Sequence, residues 1–182
     1  GGAGLLRLRR RLAHPGDTAE VSETAAWLCL FLGVLLTAFG WGVWISSRQN
    51  RPLHVAGGLL TAYGVVSLLW PFAPMQMRGA EFALTDAMHI AMAFVSVLFM
   101  LLAIGFGAAS FGKRFRRYSI VTLLALFVTG VITGLDGPRI AANLPTPWVG
   151  IWERISIGTF LVWVIVLAFV LLGSGLVKDT RR

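Results

Sequence analysis

Only one set of side chains in this 182-residue sequence combines the types that catalysis or metal binding needs. Asp86 and His89 stand three residues apart, which puts both on one face if the segment is helical. Glu153 and Arg154 follow later, and Glu81, Asp136 and Arg139 stand in neighbouring polar stretches. A carboxylate and an imidazole one turn apart, with a second carboxylate opposite, could hold a divalent metal such as zinc through Asp86, His89 and Glu153. The ion would activate water, and beside a headgroup layer the substrate would be a lipid ester or amide. Under this reading Asp86, His89, Glu153 and Arg154 are the catalytic candidates. A structural reading competes with it. Thr85 would cap a helix, and Asp86 and Glu153 would complement the positive ends of two helix dipoles. Arg154 would neutralise Asp86 or Glu153 and tie two helices together, leaving His89 as a neutral hydrogen-bonding residue.

Other chemistries lack their residues. Cys29 is the only cysteine, so neither an intramolecular disulfide nor a cysteine-based metal site can form. His54 and His89 open successive apolar runs that cross in opposite directions. Their imidazoles therefore fall near opposite membrane surfaces and cannot share one haem iron. His54, close to Arg51 and Pro52, reads as an interfacial residue. No phosphate-binding glycine loop, nucleophile elbow or paired CxxC occurs.

The elements that must position these residues are apolar. The chain is 57% hydrophobic and 13% charged, with a mean hydropathy of +0.77. So few charges cannot clothe a soluble domain, whereas lipid tails solvate apolar side chains directly. Five runs, about 24–46, 54–70, 86–111, 119–135 and 148–177, are long enough to cross the hydrocarbon as helices. They are apolar throughout rather than alternating, which excludes barrel strands. The expected fold is an all-α polytopic transmembrane helical bundle. Residues 1–23, with Arg7, Arg9, Arg10 and Arg11, form a basic loop or interfacial segment, and 178–182 form a tail.

Small residues suggest how the helices meet. Gly130 and Gly134 make a GxxxG in the fourth run, and Gly57, Gly58 and Gly64 line the second. Helices in lipid pack by close backbone approach at such positions. A glycine groove admitting a lipid chain or flat cofactor is the alternative. Gly105-Phe106-Gly107 reads as a packing feature. Trp70, Trp148 and Trp152 fall where an interfacial belt belongs, whereas Trp163 lies deeper and its N–H needs a partner.

Loop charge sets orientation. One face would hold the first loop, the Lys113–Arg117 tract and the C-terminus, with Arg48, Arg51, Lys113, Arg114, Arg116, Arg117, Lys178, Arg181 and Arg182. Seven of the eight acidic residues fall on the other face. Basic short loops mark the cytoplasmic side, so the C-terminus should be cytoplasmic. Parity places Arg7–Arg11 outside, against the rule. That conflict, and an opening Gly in place of Met, lead to the expectation of a sixth helix upstream. The net charge of +8 sits between apolar runs, so it points to anionic headgroups rather than nucleic acid.

Several strings carry a resemblance. Arg51-Pro52-Leu53-His54-Val55-Ala56-Gly57 opens one helix, and Pro71-Phe72-Ala73-Pro74-Met75 leads to Thr85-Asp86-Ala87-Met88-His89. Arg117-Tyr118-Ser119, Leu144-Pro145-Thr146-Pro147-Trp148 and Gly150-Ile151-Trp152-Glu153-Arg154 follow. Together they resemble the bacterial integral-membrane family catalogued as domain-of-unknown-function family 998, over most of 24–175. The resemblance implies a six-helix membrane protein and names no activity. Membrane hydrolases of the alkaline-ceramidase type also combine intramembrane acidic and histidine residues, but this chain lacks their paired late histidines. The expectation is a multi-pass protein of the bacterial cytoplasmic membrane, in contact with lipids. It would act as a non-enzymatic accessory subunit beside other membrane subunits, or as a small lipid-binding protein. A metal-assisted lipid hydrolase is the alternative.

Overall fold

The computed structural model describes residues 15–74, 83–142 and 144–174. The Arg7–Arg11 stretch, Glu81 and the 178–182 tail lie outside them. Every regular element among the described residues is helical. The order is α1 (Pro15–Ser46), α2 (Arg51–Ser67), a 3-10 turn (Trp70–Phe72), α3 (Leu84–Ser110), α4 (Lys113–Leu135), the short α5 (Gly137–Ala141) and α6 (Val149–Ser174). Helices α1, α2, α3, α4 and α6 are long and apolar enough to cross a membrane, so this is a multi-pass membrane protein.

Two helix starts differ from the hydropathy reading. α1 reaches back to Pro15, through a stretch bearing Asp17, Glu20 and Glu23, although its apolar part begins only at Ala26. α4 begins at Lys113, six residues before the apolar run at 119–135, so the basic tract between the two runs is the first turns of a helix. Hydropathy marks where side chains turn apolar, not where backbone hydrogen bonding starts. The turn itself is only Phe111 and Gly112. The Asp136-Gly137-Pro138 break falls where the residue types require: α4 stops at Leu135, and Pro138 sits in the first turn of α5.

α1 and α2 form a close antiparallel pair. Gly33, Thr37, Gly40 and Trp44 recur at intervals of four, three and four along α1, and Gly57, Thr61, Gly64 and Leu68 repeat that pattern along α2 and just past its end. A Cβ added at Gly57 would lie 2.5 Å from the Trp44 backbone N, one at Gly40 would meet the Thr61 backbone N, and one at Gly64 the Thr37 backbone N. Both threonines donate to carbonyls on their own helix, Thr37 to Gly33 at 2.7 Å and Thr61 to Gly57 at 2.9 Å, so the seam buries no unpaired hydroxyl there. Gly58 faces only the edge of Trp44. The GxxxG of α4 behaves differently: Gly130 and Gly134 are exposed and meet nothing among the described residues. The packing expected of them is a correction. In an apolar helix small residues can lie on any face, and here the inward face of α4 is Phe115, Ser119, Thr122, Leu126 and Thr129.

That inward face meets α6 through polar contacts. Trp163 Nε1 donates to Ser119 Oγ at 2.9 Å, with both residues fully buried, and Ser156 Oγ donates to Thr129 Oγ1 at 2.7 Å. Hydrogen bonds between helices hold where lipid offers no hydrophobic drive. The Trp163 ring fits a notch on α3: a Cβ at Gly107 would come within 2.6 Å of its Cζ2, whereas one at Gly105 would meet open space. Tyr63 of α2 packs edge-on to Phe160 at 4.9 Å, and Phe115 lies 6.0 Å from Trp163, so one aromatic cluster joins α2, α4 and α6.

Candidate functional site

Asp86 is the third residue of α3 and is buried, 5% exposed. Its Oδ2 accepts the backbone N–H of Ala83 at 2.9 Å. Ala83 is the N-cap, and an alanine has no side chain with which to cap; the carboxylate reaching back from the first turn closes one exposed N–H and faces the positive helix end. The capping expected of Thr85 is thus performed by Asp86. Thr85 lies inside the first turn, and its buried Oγ1 has no hydrogen-bond partner among the described residues.

His89 lies one turn further along the same face. Its Nδ1 is 2.9 Å from the Ala73 carbonyl oxygen, and its ring meets Trp70 edge-on at 4.8 Å. The contact ties the chain after α2 to the start of α3. The nitrogen facing a carbonyl oxygen must carry the proton, which fixes the tautomer of the neutral ring. His54 has the same environment at the other end of the bundle. Its Nδ1 is 2.7 Å from the Trp44 carbonyl oxygen and its ring lies 5.4 Å from the Trp44 indole.

Glu153 and Arg154 stay apart from that pair. Both are exposed, while Trp152 and Ser156 of the same helix are partly buried. Two residues past Trp152 is about 200° around the axis, which turns Arg154 off the inward face. Glu153, seven residues before Phe160 and eighteen before Leu171, shares their side of the helix; it is exposed because burial along α6 begins only at Phe160. Arg154 donates from Nη1 to the carbonyl of Gly150 at 2.7 Å, on its own helix, rather than to Asp86. Glu153 also lies beyond the first turn of α6, which carries no acidic residue. Of the remaining charged residues, Arg139 donates to the Pro145 carbonyl at 3.2 Å and closes the α5–α6 connection. The structure thus brings Asp86 and His89 to one face and leaves Glu153 and Arg154 outside it. Among the described residues no group of three or more histidine, cysteine, aspartate or glutamate side chains converges as metal ligands would.

The sequence reading missed Asn50. Its Oδ1 accepts the Leu53 N–H at 3.3 Å, capping α2, while its Nδ2 donates to the Ser110 carbonyl at 3.2 Å. One amide thereby clasps the α1–α2 turn to the end of α3, and it places the two turns at the same end of the bundle. An Asn before Arg51-Pro52 was a legible cap signal. Its second bond, across 60 residues, was not.

Neither a curated protein nor a solved structure matches the chain significantly. A family model described as "Protein of unknown function (DUF998)" matches residues 12–170, which takes in all five membrane-crossing helices almost to the end of α6. The chain belongs to that family of proteins of unknown function.

Proposed function

We propose that this protein is a non-enzymatic component of a bacterial cytoplasmic membrane, an accessory subunit whose work is done by its helix surfaces. One observation carries the reading: three of the four side chains that could do chemistry are engaged in local structural bonds, and the fourth, Glu153, is exposed apart from them. Asp86 caps α3, His89 holds the Ala73 carbonyl and Arg154 is turned back on Gly150. A catalytic carboxylate and histidine would need to face a shared, hydrated space. The basic residues flanking the Asn50 and Gly112 turns support placing that end, and with it the C-terminus, on the cytoplasmic side.

The test is purification from native membranes in mild detergent, with Asp86→Asn and His89→Ala beside the unsubstituted chain. We expect companion polypeptides in constant ratio, and variants that lose thermal stability without losing those companions. A lone, stable monomer would count against the accessory role. Stoichiometric metal that disappears in His89→Ala would replace it with the lipid-hydrolase reading.

A further inference from the structure

At the end of the bundle marked by Asn50 and Gly112, the start of α4 and the last turns of α6 diverge and leave a cleft of about 570 Å³. Its walls are Phe111, Phe115, Tyr118, Val166 and Val170, and almost all of its lining is apolar. Lys113 and Arg114 stand at its rim. Both are exposed, and neither donates to any described group, whereas the nearby Arg116 is anchored to the Ala108 carbonyl at 3.4 Å.

Among the described residues no carboxylate stands at this rim. No acidic residue occurs from 87 to 135 or from 154 to 178, so neither wall of the cleft brings a carboxylate to it. The first turn of α4 carries no acidic residue, and its N-cap, Gly112, offers no side-chain acceptor. Lys113, Arg114, Arg116 and Arg117 therefore stand at the positive end of a 23-residue helix, the reverse of the charge such an end favours. An anion outside the protein is what this arrangement complements. The apolar cleft directly below the cations selects the form of that anion: a headgroup phosphate with a hydrocarbon tail. A free ion would leave the aromatic and valine walls uncovered.

We propose that the cleft between α4 and α6 binds an anionic phospholipid, one acyl chain lying against Phe115, Tyr118, Val166 and Val170 and the phosphate held by Lys113 and Arg114. The site lies at the opposite end of the bundle from Asp86 and His89. It does not depend on the accessory-subunit reading.

The experiment is native mass spectrometry of the full chain in detergent micelles titrated with phosphatidylglycerol, phosphatidylcholine or inorganic phosphate. Phosphatidylglycerol should be retained at one molecule per chain and phosphatidylcholine much more weakly. Lys113→Gln and Arg114→Gln should each weaken phosphatidylglycerol about fivefold, the size expected for one basic residue near an anionic surface. Val170→Trp, which fills the cleft, should also weaken it while leaving the cations in place. Arg48→Gln with Arg51→Gln, at the same end but outside the cleft, should change it less than twofold. The proposal is overturned if that second pair weakens binding as much as the first, because the charge then acts as a diffuse surface. It is equally overturned if phosphatidylcholine binds as tightly, or if inorganic phosphate alone competes at the same concentration as the lipid. The glutamine variants alter only exposed side chains, so they remain a valid test should Val170→Trp fail to fold.

Discussion

Replacing Gly57 by alanine isolates the contact on which the α1–α2 pair depends. The added methyl would lie 2.5 Å from the Trp44 N, 2.8 Å from the Trp44 Cα and 3.0 Å from the Gly40 carbonyl oxygen. Ordinary contact begins near 3.4 Å, and all three obstructing atoms are backbone, so no rotamer change can relieve the clash. The helices must separate locally by about 1 Å, and a gap of that size forfeits roughly a quarter to a half of each dispersion contact it opens. Alanine's better helix propensity offsets up to about 1 kcal/mol. Overpacking of this kind costs about 1–3 kcal/mol, and we expect a net loss of about 2 kcal/mol because the seam continues through Gly40 and Gly64. Gly130→Ala on α4 is the control: the added methyl meets nothing among the described residues, so only the propensity gain applies and the variant should be neutral or stabilised by up to about 1 kcal/mol. Reversible unfolding in mixed micelles, followed by tryptophan fluorescence and helical circular dichroism, reads both. Equal losses for the two variants, or no loss for Gly57→Ala, would refute the reasoning.

Substitutions at four further residues test the polar contacts by the same unfolding assay. Ser119→Ala deprives the fully buried Trp163 N–H of its acceptor and should cost about 1 kcal/mol, toward the upper range for bonds between membrane helices. Trp163→Phe also empties the notch at Gly107, so the bond is read from the pair: the double variant should lose about 1 kcal/mol less than the sum of the two singles, and full additivity would show that the bond carries no energy. Ser96→Ala should go the other way: its buried hydroxyl has no partner among the described residues, so removal should be neutral or stabilising by up to about 1 kcal/mol. Asp86→Ala removes the cap of α3 and should cost about 1 kcal/mol, with Asp86→Asn milder because an acceptor remains. An alanine variant as stable as the parent would mean that the Ala83 N–H is satisfied without this carboxylate.

The spans were legible because lipid-facing helices must be apolar on every side, which leaves an unmistakable run in the sequence. The same property hid the packing. A helix without a polar face gives no sign of which side turns inward. Gly130 and Gly134 therefore looked as competent as Gly57 and Gly64, and the matching role of Gly33 and Gly40 went unread. Helix ends were misplaced where charge and backbone disagree, as at Lys113. The need of Trp163 for a partner could be read from its chemistry, but Ser119 stands 44 residues away and only the tertiary fold selects it. For the candidate site, three-residue spacing correctly put Asp86 and His89 on one face. Spacing from Phe160 and Leu171 puts Glu153 on the buried side of α6 as well, but nothing in spacing could show that burial begins only at Phe160 and leaves the start of the helix exposed.

The polar cluster could become a metal site only if Glu153 reached Asp86 and His89. Rotation is not what holds it away: seven residues before Phe160 and eighteen before Leu171, Glu153 already shares the side of α6 that is buried further along. It is exposed because the first turns of α6 carry no buried side chain; burial begins only at Phe160. Reaching Asp86 would require the start of α6 to close onto the start of α3. That movement would pull Ser156 from Thr129, a bond between helices worth about 0.6 kcal/mol on average. Glu153→Gln removes a charge from an exposed position and should leave metal content unchanged and stability within about 0.5 kcal/mol. A measurable drop in either would mean that the start of α6 closes onto α3 and brings the carboxylate to the other two groups.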